Sequence, residues 1–131
     1  MAEDFIFEET VKIYDTDAQA IVHYAGYYRF FTDALEAFAY ERIGMMFPRA
    51  NENVWFVVVE SNAKYHKSAR VGDKLTVHLS SNIVSDKAIR FDFKIMRGSD
   101  FICEGFITQV TIDKNTWKAV PIPKEIADKL I

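Results

Sequence analysis

The chain has 131 residues, a net charge of −3, 27% charged and 50% hydrophobic residues, the balance of one ordinary globular domain spanning residues 1–131. Its mildly acidic charge gives no basic footprint for nucleic acid. Its single cysteine can neither close an internal disulfide nor build a cysteine-based metal site, and no apolar run approaches the roughly 18 residues of a membrane span. Aromatic residues are in excess, with 11 Phe, 6 Tyr and 2 Trp, so some rings are expected in a ligand cavity or a subunit interface. The first residues, MAEDFIFEET, lack the basic region and long apolar run of a signal peptide, and a cytoplasmic location is expected.

Residues 5–14 alternate, with Phe5, Phe7, Val11 and Ile13 on one parity and Glu8, Thr10 and Lys12 on the other. That pattern predicts a half-buried strand. Residues 15–23 break it and read as a loop. From Tyr24 the period becomes helical. Tyr27, Phe31, Ala34, Leu35 and Phe38 share a stripe, which Tyr28, Phe30 and Ala39 widen. The helix is expected to run about 20 residues and stop near Gly44, a natural C-terminal glycine ahead of Pro48. So wide a stripe predicts an enclosed helix.

The remainder reads as strands at residues 54–66, 74–84, 88–97 and 101–112, with turns at 70–73, 85–87 and 97–100. Short connections imply antiparallel neighbours. A terminal helix of about eight residues is expected after Pro123. One helix cannot cover both faces of five strands, so the simplest packing wraps the sheet around it. The sheet's remaining face or edge then favours self-association.

No metal-ligand spacing, nucleophile elbow or phosphate-binding glycine loop is present. His23, His66 and His78 are scattered, and Cys103 sits in a strand pattern as a small core residue. The loop Asp15-Thr16-Asp17-Ala18-Gln19-Ala20-Ile21-Val22-His23-Tyr24 is the best candidate site. By pattern alone its two carboxylates read first as turn and capping residues. Their apolar and aromatic flanks would also desolvate a carboxylate and strengthen it as a base or nucleophile.

Tyr14-Asp15-Thr16-Asp17 followed by Val22-His23-Tyr24 and Tyr27 resembles the signature of the 4-hydroxybenzoyl-CoA thioesterase family of hotdog-fold proteins. Tyr65-His66-Lys67-Ser68-Ala69-Arg70-Val71-Gly72-Asp73 and Val120-Pro121-Ile122-Pro123 extend the resemblance over nearly the whole chain. It implies an α+β hotdog fold: a five-stranded antiparallel sheet wrapped around one long central helix. It also implies an acyl-CoA thioesterase in which Asp17 is the catalytic carboxylate and Asp15 is structural. Asp17 would attack the carbonyl or deprotonate a water, and helix N-terminal amides would stabilise the oxyanion.

His23 would orient the acyl group, or be a plain loop histidine. Val22, Tyr24 and Tyr27 would line the acyl pocket. Lys67, Ser68, Arg70 and Arg90 would meet the phosphates of coenzyme A. Glu60 is a reserve carboxylate. No metal and no cofactor is implied beyond the coenzyme A of the substrate. The partners implied are that acyl-CoA and further copies of the chain, as a homodimer or homotetramer with active sites at the subunit interface. Two positions depart from the family pattern. Ala20 stands where glycine is usual, which is expected to disfavour a positive φ, and Gly26 stands where asparagine is common. These departures keep two rival readings open: a non-catalytic acyl-CoA or lipid-binding module, and a hydratase or dehydratase.

Overall fold

In the computed structural model, which describes residues 4–130, the alternating first segment forms strand β1 only over Phe5–Thr10, and a single 3-10 turn at Ile13–Asp15 ends it. Helix α1 spans Tyr27–Phe38 and widens into a π turn at Ala39–Ile43. Gly44 ends it in the left-handed conformation, φ 83°, as expected of a residue without a Cβ. The helical period therefore starts three residues later than Tyr24. Residues 24–26 are a turn in which the amide of Gly26 donates to the carbonyl of His23 at 2.7 Å.

Four long strands follow: β2 (Val54–Tyr65), β3 (Lys74–Ser85), β4 (Ala88–Arg97) and β5 (Asp100–Asp113). The terminal helix α2 is shorter than expected, covering only Lys124–Ala127. All strand pairs are antiparallel, in the order β1-β3-β4-β5-β2. The sheet closes around α1, the hotdog architecture that the resemblance implies.

The core is aromatic at its centre. Phe31 of α1 stacks on Phe93 of β4 at 4.6 Å between ring centroids, and Phe38 meets Phe5 and Phe91 edge-on. Leu75, Val77, Leu79, Ile89, Ile95 and Ile102 complete the sheet's inner face. Gly105 of β5 allows this approach: a Cβ there would lie 2.8 Å from the Phe31 ring and collide with the carbonyl of Asn62. Here a missing side chain sets how closely helix and sheet pack.

Tyr27, Phe30, Phe31, Ala34, Leu35 and Phe38 of α1 are buried, and Glu36 is its one exposed residue. Tyr24 and Tyr40, 69% and 76% exposed, lie just outside α1. Cys103 is a buried core residue whose thiol is pushed up to about 12 by burial, beside the charge of Glu104.

Candidate active site

The loop between β1 and α1 separates its two carboxylates. Asp15 is buried at the helix start. Its Oδ1 and Oδ2 accept from Nε and Nη2 of Arg29, both at 2.6 Å, and Oδ2 also accepts from the amide of Lys12 at 2.8 Å. Burial works against ionisation, but the Arg29 fork and the Lys12 amide together outweigh it and hold the carboxyl below the ordinary carboxylate range. Arg29 also reaches Asp33 at 2.7 Å and Glu9 at 3.4 Å, and these anionic partners raise its own pKa, Asp15 foremost. Asp15 is thus a fastener between loop and helix, as expected.

Asp17 lies on the other side of the loop, exposed. Thr16 and Val22 pair as a small antiparallel bridge, and residues 17–20 turn between them. The turn is closed by the Ala20 amide donating to the Asp17 carbonyl at 2.9 Å, and by the Gln19 amide donating to Oδ1 of Asp17 at 2.8 Å. Ala20 does adopt the left-handed conformation, φ 64°. The conformation is the disfavoured one for alanine, at a cost of about 1 kcal/mol, and the bridge on either side over-determines the turn. Oδ2 of Asp17 makes no hydrogen bond among the described residues.

Asp17 opens into a cleft of about 340 Å³ lined also by Gln19, Ile21, Val22, Tyr24, Tyr27, Tyr65, His66, Lys67 and Ser68. The far wall is the end of β2, which is drawn in by three contacts. The Tyr65 hydroxyl donates to the carbonyl of Tyr24 at 2.7 Å, the Val22 amide donates to the carbonyl of Ala69 at 2.9 Å, and the rings of Tyr27 and Tyr65 lie 5.3 Å apart. The Val22 amide is spent on Ala69, and those of His23, Ala25 and Gly26 are spent inside the loop. The amide of Tyr24 has no partner among the described residues, at the point where the chain enters α1.

Five of the residues expected at the site besides Asp17 line this cleft: Val22, Tyr24, Tyr27, Lys67 and Ser68. Three expected residues stay outside it. His23 turns back on its own loop, with Nδ1 accepting from the Ala25 amide at 3.1 Å and its ring against Tyr24; it acts as a turn residue there. Arg70 stands beside the cleft, its backbone bridged to Ile21. Arg90 lies on the opposite face of the sheet, its guanidinium 4.0 Å over the Phe106 ring and 2.9 Å from Asp92. Strand parity explains it, since Phe91 and Phe93 point to the helix and their neighbours point away. Glu60 is exposed beside a bulge on the edge strand β2, likewise outside the cleft.

Residues that sequence reasoning did not assign to the site are Gln19, Ile21, Tyr65 and His66. The last two stand directly before Lys67 in the family-like segment, so their sequence neighbourhood was the available signal. Lys67 is tied to Asp100 at 2.9 Å, while the Arg70 side chain makes no hydrogen bond among the described residues. No cluster able to hold a metal ion occurs among the described residues, and no helix among them is long and apolar enough to cross a membrane.

Residues 11–130 match the thioesterase-like superfamily. The acyl-CoA thioesterase YbgC of Haemophilus influenzae is 26% identical over 126 residues, covering 92% of this chain and 90% of its own length. A 1,4-dihydroxy-2-naphthoyl-CoA hydrolase of Synechococcus elongatus is 22% identical over 130 residues, covering 97% and 95%. Among solved structures, a 1,4-dihydroxy-2-naphthoyl-CoA thioesterase from Synechocystis superposes with a TM-score of 0.86 at 19% identity, over 95% of this chain and 93% of that one. With its five strands closed around one helix and a family match over nearly its full length, the chain belongs to the thioesterase-like superfamily and carries the hotdog fold.

Proposed function

We propose that the protein hydrolyses the thioester bond of an acyl-coenzyme A, with Asp17 as nucleophile or general base. One observation carries the reading: a carboxylate with an unengaged oxygen and a backbone amide without a partner share one tyrosine-lined cleft at the start of α1. The amide of Tyr24 is the donor the loop leaves for an oxyanion, and the dipole of α1 adds to its effect. A thiolate leaves readily, so a strong general acid is not required. Water is the only co-substrate, and the reaction needs no metal and no cofactor.

Tyr24, Tyr27 and Tyr65 supply aromatic walls for the acyl group. The names of the relatives span a general acyl-CoA thioesterase and hydrolases of an aromatic acyl-CoA, which supports a thioester of that breadth. Arg70, with Lys67 and Ser68, is the set for the coenzyme A phosphates. Lys67 would exchange Asp100 for phosphate, and the Arg70 side chain, beside the cleft, makes no hydrogen bond among the described residues. The edge strand β2 exposes Val58 and Val59 at 53% and 58%, which suits pairing with a second copy into a homodimer or homotetramer with active sites at the interface. The location proposed is cytoplasmic.

The test is thiol release from a panel of acyl-CoAs by the native protein and by Asp17→Asn. Native turnover with a loss of about 100-fold or more in the variant is expected. Ligand-induced thermal stabilisation without thiol release would instead indicate a binding module. A hydratase also needs an acid and a histidine in one cleft, and Asp17 and His66 satisfy that, so hydration of crotonyl-CoA is measured in parallel. Hydration without hydrolysis would replace the thioesterase reading.

A further inference from the structure

We propose that a cleft at the far end of β2 binds a free nucleoside phosphate, at a site separate from the Asp17 cleft. Such binding goes beyond thioester hydrolysis and does not depend on it. Both tryptophans of the chain meet at this cleft. Trp55, on β2, lines a space of about 260 Å³ with Met45, Arg49, Glu52, Asn53 and Lys114. Trp117 follows β5, and its ring lies edge to face with that of Trp55 at 6.4 Å between centroids. Trp55 stands ten residues before Tyr65 on β2, so about 30 Å of strand separates this cleft from the Asp17 cleft in the same chain.

Three segments build the cleft, and backbone bonds fix them to one another. Arg49 bridges to Trp55, the Phe56 amide donates to the carbonyl of Pro48 at 2.8 Å, and the Lys114 amide donates to the carbonyl of Asn53 at 3.0 Å. Past β5, the Asp113 carboxylate accepts from the amides of Asn115 and Thr116 at 2.8 and 3.0 Å, and its carbonyl accepts from the Trp117 amide at 2.8 Å. This turn sets Trp117 at φ 59°, in the left-handed region, and leaves it 61% exposed. A bulky side chain seldom takes that conformation, and backbone strain gathers where ligands are clamped. An exposed indole is a stacking surface for a planar base.

The charges select the rest of the ligand. The side chains of Arg49 and Lys114 make no hydrogen bond and no ion pair among the described residues. A planar fork and a point charge on one cleft suit a phosphate. The Glu52 carboxylate, also without a partner among the described residues, can only accept, and it suits a sugar hydroxyl. A plain aromatic acid offers it no donor, whereas a nucleoside phosphate matches ring, hydroxyls and anion together. The cleft is small for a whole ligand, so it takes the phosphate and sugar while the base lies on Trp117 beside it.

The test is equilibrium dialysis of labelled AMP against the native protein, with tryptophan emission followed in parallel. Saturable binding that quenches the emission is expected, with adenosine and inorganic phosphate each about 10-fold weaker or more. Arg49→Gln and Lys114→Gln should each weaken AMP about 10-fold. Trp117→Ala should cost about 10-fold, and Trp117→Phe, which keeps a ring, much less. None of these variants should change thiol release from an acyl-CoA, and AMP should leave the KM for that substrate unchanged. Absence of AMP binding at millimolar concentration, equal binding of adenosine, or native affinity in the Arg49→Gln, Lys114→Gln double variant overturns the proposal. A KM that rises in proportion to AMP would make this the substrate's own site and overturns it as well.

Discussion

Asp15 and Asp17 are two residues apart and have opposite surroundings. Asp15 is buried, holds both arms of Arg29 and keeps its charge through them. Asp17 is exposed on a turn, spends one oxygen on the Gln19 amide and faces a tyrosine-lined cleft. The difference comes from the 3-10 turn at residues 13–15, which aims Asp15 inward before the small hairpin at 16–22 carries Asp17 outward. One carboxylate builds the platform, and the other is presented by it. Identical chemistry in neighbouring positions is sorted by burial and by partners.

The largest expected effect that separates the two is on stability. Asp15→Ala leaves Arg29 without its buried partner and should cost about 3 kcal/mol in chemical denaturation, whereas Asp17→Ala should change stability by less than about 0.5 kcal/mol. Equal costs would break the comparison.

The pH dependence sharpens it next. Asp15 has a folded pKa below its unfolded value. Its contribution is therefore complete above the unfolded value, about 3.9, and is lost as pH falls through the folded value. Thermal melts should show a shallower acid limb in Asp15→Asn than in the native protein.

Glu9, at the outer side of the same arginine, behaves in the opposite sense. Burial, then the neighbouring Asp33 carboxyl, raises its pKa against the pull of Arg29. What it contributes is present below the unfolded value and lost as pH rises through the folded one. Glu9→Gln should accordingly stabilise the protein by about 1 kcal/mol at pH 7 and by little at pH 4, as read from paired melts. The smallest effect belongs to the Asp17 turn. Ala20→Gly relieves the left-handed strain but frees the unfolded chain, for a net gain of about 0.5 kcal/mol in the same assay.

The sequence carried the element order, the strand parity and the Asp17 loop, because these rest on local periodicity and on one short motif. Arg90 shows that parity held more than was used: its place between Phe91 and Phe93 already directed it away from the helix. Other features needed the closed fold. Arg29 reaches Asp15 across 14 positions, and Tyr65 reaches Tyr24 across 41. His66 enters the cleft only because the end of β2 folds against the loop through Ala69 and Val22. His23 resembled a catalytic residue in its motif, yet its ring nitrogen is taken by an amide two residues away, a local competition that motif spacing does not display.

The most direct measurement is acyl-CoA hydrolysis by Asp17→Asn, compared with the native protein at a temperature where both are folded by circular dichroism. A carboxamide keeps the shape of the turn and removes both nucleophile and base. The account predicts an unchanged melting temperature and a turnover reduced by about 100-fold or more. Native turnover in that variant would contradict it.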